Sequence, residues 1–566
     1  MTRARLGALA VCALVGFGLG IAPARAQEPR GREAYLFLVP GISFEDAMAD
    51  GTLASLAMDG GAGLMTLGGG LPTDPERGIG PRPEDVLVRW LDPAKRGGIE
   101  RVATTIEETV TASGAHHVLV IVASTSPSAD MRLSKDQLHP LIVAEGPPGE
   151  LFAGSGEEGS ITSDSTHRDG IVTDLDVMPT IASFLGVDPP AEMAGSVIEI
   201  IPGPPPFELH ERYLAQRRMY VPIGTAGGIY LAIVGLGAIV LLALGRRVPQ
   251  ILRRVFGWGC LSVAALATGL LAAGHLPELT YATVVPFVAL VTVFGTLAFA
   301  PLEHRDVLLI PAGIGIAVLA YFAVEAILAW TAALTPFVGG SELDGGRFYG
   351  LPNVFIGLLI GASLWIAHRV RTVAGFGLLV GVALFAGLPY LGANLGGGVS
   401  LFAAAGLWLA IRERRRLGLW KALALLVGVT LLGTALILAA HAISPFQTHV
   451  TRFEEQADGL GGVVERVWER LQVGFDLIAQ NPFALIPVVG LPIAIAAVLR
   501  PPAALRPSLQ RSPAWRDAIL VTLLAGVVAY LVNDSGPAAA GLAFGLGLGG
   551  LLGVSLLSEA EKMGEP

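Results

Sequence analysis

The sequence predicts an exported α/β domain joined to an all-α polytopic membrane domain of about eleven helices. Three observations predict it. A basic, then apolar, leader opens the chain; strand-like and helix-like stretches alternate over roughly the next 190 residues; and from about Ile223 to Leu557 apolar runs succeed one another with their basic residues in alternate gaps.

The leader has the parts of a secretory signal at residues 1–26. MTRAR is a basic n-region, LGALAVCALVGFGLGIA an apolar h-region, and Ala24-Arg25-Ala26 before Gln27 an A-x-A cleavage site. Residues 27–218 are then exported. In this stretch Ala34 to Val39 is a continuous apolar run ending at Pro40-Gly41, a buried strand followed by a turn. Ile99 to Ser113 reads as a helix, Val118 to Ala123 and Pro140 to Ala144 as buried strands, and Asp174 to Leu185 as a helix with Asp in its first turn and Gly186 past its end. Strands alternating with helices predict a mostly parallel sheet.

Spans are expected to begin near Ile223, Val255, Leu279, Val307, Leu351, Thr372, Val399, Leu419, Pro482, Ala518 and Pro537, within a membrane domain over 219–558. The gaps with Arg246, Arg247, Arg253 and Arg254, with Arg369 and Arg371, with Arg412, Arg414, Arg415 and Arg416, and with Arg500, Arg506, Arg511 and Arg516 are alternate gaps, so they are read as cytoplasmic. The gap PLEHRD has mixed charges and does not discriminate. The sparsely basic gaps HLPELT, SELDGGRFYG, LGANLGGG, 444–481 and NDSG are read as outer, and the tail 559–566 as cytoplasmic. The protein is thus expected in the plasma membrane, multi-pass, with its amino-terminal domain extracytoplasmic.

Composition agrees: hydrophobic residues make up 52% and charged residues 15%, far from an ordinary soluble domain. A net charge of -9 argues against a nucleic-acid partner. Of two cysteines, Cys12 leaves with the signal and Cys260 lies in the second span, so neither a disulfide nor a thiolate metal site is expected.

Ser165 to Ile198, with Asp176, Pro179, Thr180, Gly186, Pro190 and Gly195, resembles the carboxy-terminal signature of the alkaline phosphatase-like superfamily. The resemblance covers about 170 residues, and the order of strands matches. It implies an alkaline phosphatase-like fold. In catalytic members the first strand ends in a metal-binding Asp and the second is followed by an Asp-His pair. This chain has Val39-Pro40-Gly41 and ASTSPSAD at those places. Asp130, Asp164, His167 and Asp169 are the remaining ligand candidates, Ser43 and Thr66 the nucleophile candidates, and His116 and His117 read as surface residues. The expectation is a non-hydrolytic domain without cofactor; a catalytic one would need a divalent metal.

Polar residues at membrane depth are costly and mark function. Glu325 is placed about eight residues, roughly 12 Å, inside the outer end of the fourth span. Arg347, Tyr349, Asn353, Asn394, His441, Asn533 and Asp534 stand at outer ends or Gly- and Asn-rich breaks, and are expected to meet in one pocket. Arg347, Asn394 and Asp534 are assigned to one site. The segments RFYGLPN, GANLGGG and NDSG are also similar to those of large bacterial envelope proteins that join such an ectodomain to a polytopic membrane domain. In the loop 444–481, Val464, Val467, Trp468, Leu471, Phe475 and Ile478 share a helical face opposite Glu465, Arg466, Glu469, Arg470 and Asp476. An amphipathic helix lying on the membrane or on the ectodomain is predicted there.

The functional expectation is a cell-envelope membrane protein that handles a phosphorylated or lipid-linked intermediate at the outer leaflet. The alternatives are an active phospho- or phosphoethanolamine transferase or hydrolase, and a secondary transporter. Reporter fusions at Gly245, Gly340 and Pro566 should read inside, outside and inside. An external reporter at Pro566 would remove one span.

Overall fold

A computed structural model describes residues 31–67, 85–134, 136, 138–156, 158–188, 195–328, 330, 336–338, 349–444, 485–533 and 536–564. The leader and the amphipathic segment lie outside the described residues, as do Pro190, Arg347 and Asp534.

The sheet domain opens with β1 (Arg32–Leu38), whose last five residues are buried, and turns at Pro40-Gly41. Then follow α1 (Phe44–Ala49), α2 (Gly51–Met58), β2 (Gly61–Thr66), β3 (Val86–Trp90), α3 (Ile99–Thr111), β4 (His117–Ala123) and β5 (Leu138–Gly146). β6 (Gly159–Thr162), β7 (Ile171–Thr173), α4 (Val177–Leu185) and β8 (Glu199–Pro202) complete it. α3 is amphipathic: Val102, Ala103, Ile106 and Val110 are buried at helical spacing against the sheet.

The eight strands run in the order β3-β1-β4-β5-β2-β6-β8, with β7 beside β2. β1 is parallel to β3 and β4, and β2 to β6 and β7, whereas β5 is antiparallel to β4 and β2, and β8 to β6. The sheet is therefore mixed, with β5 and β8 opposed to the rest. The strand expected at Pro140–Ala144 runs antiparallel to both of its neighbours, β4 and β2. β2 escaped the sequence reading because GAGLMT lacks a β-branched run. Its Gly63 is needed where a Cβ would stand 2.2 Å from the Ile161 side chain.

The first membrane helix is continuous with this domain. α5 (Phe207–Leu244) starts inside it: Tyr213 has no exposed surface and belongs to the core of Phe37, Val122 and Ile142. The Phe207 ring meets Phe44 edge-on with centroids 4.8 Å apart, and His210 Nε2 lies 2.6 Å from the buried Asp136 carboxylate. The boundary expected at 218 thus falls within one helix. Arg212 holds the carbonyls of Pro277 and Gly274, and Gln216 that of Pro336, so the same helix is bonded to two loops of the membrane helices.

The remaining helices are α6 (Gln250–Leu261), α7 (Val263–Ala272), α8 (Tyr281–Leu297), α9 (Leu309–Ile327), α10 (Phe355–Ala367) and α11 (Thr372–Gly387). After them come α12 (Leu395–Leu417), α13 (Leu419–Ala442), α14 (Leu485–Leu499), α15 (Pro513–Val532) and α16 (Gly536–Gly564). Among the described residues seven helices, α5 included, are long and apolar enough to cross a membrane, and α6 with α7 makes an eighth bent by 46°. α10, α11 and α14 are apolar but shorter, at 13, 16 and 15 residues. Together these stand at the eleven expected places and form a multi-pass membrane architecture.

Several cations of the basic gaps are paired at the end of the bundle away from the sheet: Arg253 with Glu559, Arg254 with Glu303, Arg369 with Asp306, Arg412 with Asp517 and Arg511 with Glu561. Glu559 and Glu561, of the expected tail, lie on the last part of α16.

One buried base of the sheet is proton-sensitive. Burial pushes the His139 imidazole down to about 4, against the opposing pull of Asp136. Its folded value lies below the unfolded one, so unfolding takes up a proton between the two; this stability is present above about pH 6.5 and is lost as pH falls through about 4. Denaturation of fragment 27–218 should show a loss on the order of 3 kcal/mol between about pH 7 and pH 4 attributable to this group. His139→Asn should flatten that part of the profile, and an unchanged slope would acquit His139.

Candidate functional site

In the sheet domain the signature segment is built by local physical chemistry. Asp176 is fully buried, and its two oxygens accept four hydrogen bonds. Ser163 Oγ (2.8 Å) and Thr173 N (2.8 Å) donate to Oδ2, Ser165 Oγ (2.5 Å) and Ser196 N (2.8 Å) to Oδ1. Thr180 Oγ1 donates to the Asp176 carbonyl and accepts from Ile198 N. Gly195, at φ +104, lets the chain pass where a Cβ would stand 2.2 Å from the Leu175 carbonyl oxygen. Gly186 ends α4 in the left-handed conformation. These residues clamp 163–188 and 195–198 onto the sheet. None of them is available as a nucleophile or ligand.

The other chemical candidates are dispersed. Ser43 caps α1 in a reciprocal capping box with Asp46. Thr66 is buried at the end of β2, opposite Leu138 and Thr173. At the carboxyl ends of β1 and β4 the backbone closes on itself: Gly41 N donates to Ser126 O at 3.0 Å, and Ser124 Oγ to Ile42 O at 3.2 Å. Asp164 and Asp169 are exposed, and His167, at φ 54, lies ring to ring with Tyr349 at 5.1 Å. No three His, Cys, Asp or Glu side chains converge among the described residues. The candidates Asp164, His167 and Asp169 therefore do not form a ligand set for the divalent metal that the resemblance implies. The His117 ring is at the surface, 3.0 Å from Glu145.

The loop carrying those candidates is docked instead on the helix bundle. Arg168 Nη2 donates to the Trp330 carbonyl at 3.5 Å, and Trp330 Nε1 to the Leu391 carbonyl at 2.6 Å. Burial pushes the Tyr349 phenol up, with the Arg168 guanidinium acting the other way.

Leu388–Asn394 is the hub of this end of the bundle. Leu351 N donates to Gly392 O, Tyr349 Oη to Tyr390 O, and Asn394 Nδ2 to Leu351 O and Asn353 Oδ1, all at 2.8 Å. Asn394 Oδ1 accepts from Gly397 N at 2.7 Å, capping α12. The last carbonyls of α11 are capped in turn, Ala386 O by Asn394 N and Gly387 O by the buried His441 ring, both at 2.9 Å. Asn533 donates to Ser400 Oγ and Ala529 O.

Tyr349, Asn353 and Asn394 are thus brought together, with His441 and Asn533 on flanking helices. Among the described residues, two of the breaks expected to expose free amides and carbonyls, 349–353 and 388–394, bond to each other, as a buried backbone group must be satisfied. Glu325 belongs to a separate cluster with His275 and Tyr321. It lies in the last turn of α9 rather than about 12 Å inside, because that helix ends at Ile327. Sequence reading missed Asp136, His210, Arg168, Trp330 and His275; only His275, a lone imidazole in the gap HLPELT, carried a signal.

No protein-family model, curated protein or solved structure matches the chain. The junction between the 163–170 loop and the Leu388–Asn394 hub is accordingly read from its own geometry. Asp176→Ala would leave two hydroxyls and two amides without their acceptor, and should cost roughly 3–5 kcal/mol. Thermal denaturation of fragment 27–218 measures it, and a loss below about 1 kcal/mol would contradict the clamping role.

Proposed function

We propose that this protein is an envelope membrane protein whose alkaline phosphatase-like sheet domain binds, without hydrolysing, a phosphorylated and lipid-linked intermediate at the outer leaflet, together with the adjoining membrane helices. The observation that carries this reading is the orientation of the sheet. In open α/β sheets ligands bind beyond the carboxyl ends of the strands. Here Arg168 after β6 reaches Trp330 of the bundle, while Phe44 after β1 and Asp136 after β4 hold Phe207 and His210 in the opening turns of α5, the helix that runs on into the bundle.

A freely diffusing substrate would be served by an edge open to water. An edge turned toward the membrane helices suits a ligand that arrives laterally with its headgroup at that level. Arg168 supplies the chemistry for a phosphate, a planar fork of donors that pairs with oxyanions. The use of Ser43 and Asp176 in caps and clamps favours binding over hydrolysis.

Retention of a long-chain polyisoprenyl phosphate by the full-length protein, measured by native mass spectrometry against the uncharged polyisoprenol, tests the reading. The phosphate should be retained and the alcohol released, and Arg168→Gln should weaken retention roughly tenfold, as expected for loss of one charge-assisted pair. Equal retention of alcohol and phosphate would overturn it. Phosphate release from the bound lipid would restore the enzymatic alternative.

A further inference from the structure

Glu325 stands two residues before the end of α9, and its side chain has no exposed surface. Its Oε1 is met by His275 Nε2 and accepts the Tyr321 hydroxyl hydrogen at 3.1 Å. His275 follows α7, and 32% of its side chain is exposed. One end of the pair is therefore buried and the other partly exposed.

The position is electrostatically adverse to a lone carboxylate. A helix carries negative partial charge at its carboxyl end, so an acid in the last turn is on the wrong end. An ionised acid within a span needs a neutralising partner. α9 packs against α7, α8 and α10. α7 and α10 contain no Asp, Glu, Lys, Arg or His, and the only titratable group of α8 is Tyr281, half exposed. At the far end of α9 stands Glu303, paired with Arg254. Around His275, Arg212 donates to the carbonyls of Gly274 and Pro277, and Glu278 is exposed. The imidazole of His275, in contact with Glu325 Oε1, can offer it a proton.

We propose that His275, Glu325 and Tyr321 form a proton-exchange site of the membrane domain, loaded from water at the sheet-domain end of the bundle through the His275 ring. A proton from hydronium adds to Nδ1, and the proton on Nε2 passes to Glu325 Oε1, leaving a neutral imidazole and a neutral acid held by Tyr321. Release reverses the two transfers. Only N–H and O–H bonds form and break, and one positive charge enters or leaves. The site stands apart from the phosphate-binding reading, and no lipid ligand enters its test.

Infrared difference spectra of the full-length protein in sealed liposomes, sheet domain outward, follow the acid directly as outer pH is changed. A carboxylic carbonyl band should appear on acidification, vanish in Glu325→Gln, shift in frequency in Tyr321→Phe and persist in Glu278→Gln. His275→Gln should slow its appearance roughly a hundredfold, the scale of lost general acid–base assistance. A band that survives Glu325→Gln, ignores Tyr321→Phe or follows only the lumenal pH would overturn the site. Unchanged kinetics in His275→Gln would overturn the relay. Should Glu325→Gln fail to fold, the milder Tyr321→Phe decides by itself.

Discussion

The first membrane helix begins in the core of another domain, and the rest of the architecture follows from that constraint. Phe207, His210 and Tyr213 occupy the opening turns of α5, and all three are committed to the sheet domain. A large apolar side chain buried as Tyr213 is contributes roughly 1.5–3 kcal/mol. Removing one partner of the buried Asp136–His210 pair would strand the other. The helix is therefore held along the face that enters the sheet domain, and its axis sets how that domain meets the bundle. Arg212 and Gln216, on the same turns, reach the loops at Gly274, Pro277 and Pro336. One rigid element thus references both halves of the protein.

That placement gives the polar residues of the junction their character. At the ends of α10, α11 and α12 the chain breaks at glycine and asparagine, a pattern that elsewhere opens ion sites. Here Leu351 N finds the Gly392 carbonyl of the neighbouring break, and Asn394 alone satisfies groups on both sides of it. The hub is thus a rigid floor on which the 163–170 loop rests. Glu325 differs, because its partner His275 is partly exposed. The chemically mobile group lies beside the floor rather than in it.

The opposite end of the bundle is organised by charge. Five of the arginines that assign topology in the sequence are matched by acids far along the chain, as Arg253 is by Glu559 and Arg412 by Asp517. Arg414, Arg415 and Arg416 are instead exposed at the last turn of α12, where cations also suit the helix dipole. The same residues that orient a chain by their sign here also tie its helices together.

Much of the fold was legible because its signals are local. An apolar run, an N-cap or a glycine after a helix needs only neighbours within a few residues, so α3, β4, α4 with Gly186 and the places of the eleven apolar helices stood in the sequence. Lengths were less legible: α10, α11 and α14 span 13, 16 and 15 residues, and the last carbonyls of α11 and α14 are held by Asn394, His441 and Arg516 from elsewhere in the chain. The direction of β5 and the membership of the glycine-bearing β2 depend on pairing across the sheet. The site was legible only as single residues. Whether Asn394 is a ligand or a cap, whether Glu325 faces His275, and whether Arg168 meets Trp330 depend on contacts between segments separated by tens to hundreds of residues. No local pattern encodes such pairs. They are chosen only when the apolar faces have packed and each buried polar group must find whichever partner that packing brings near.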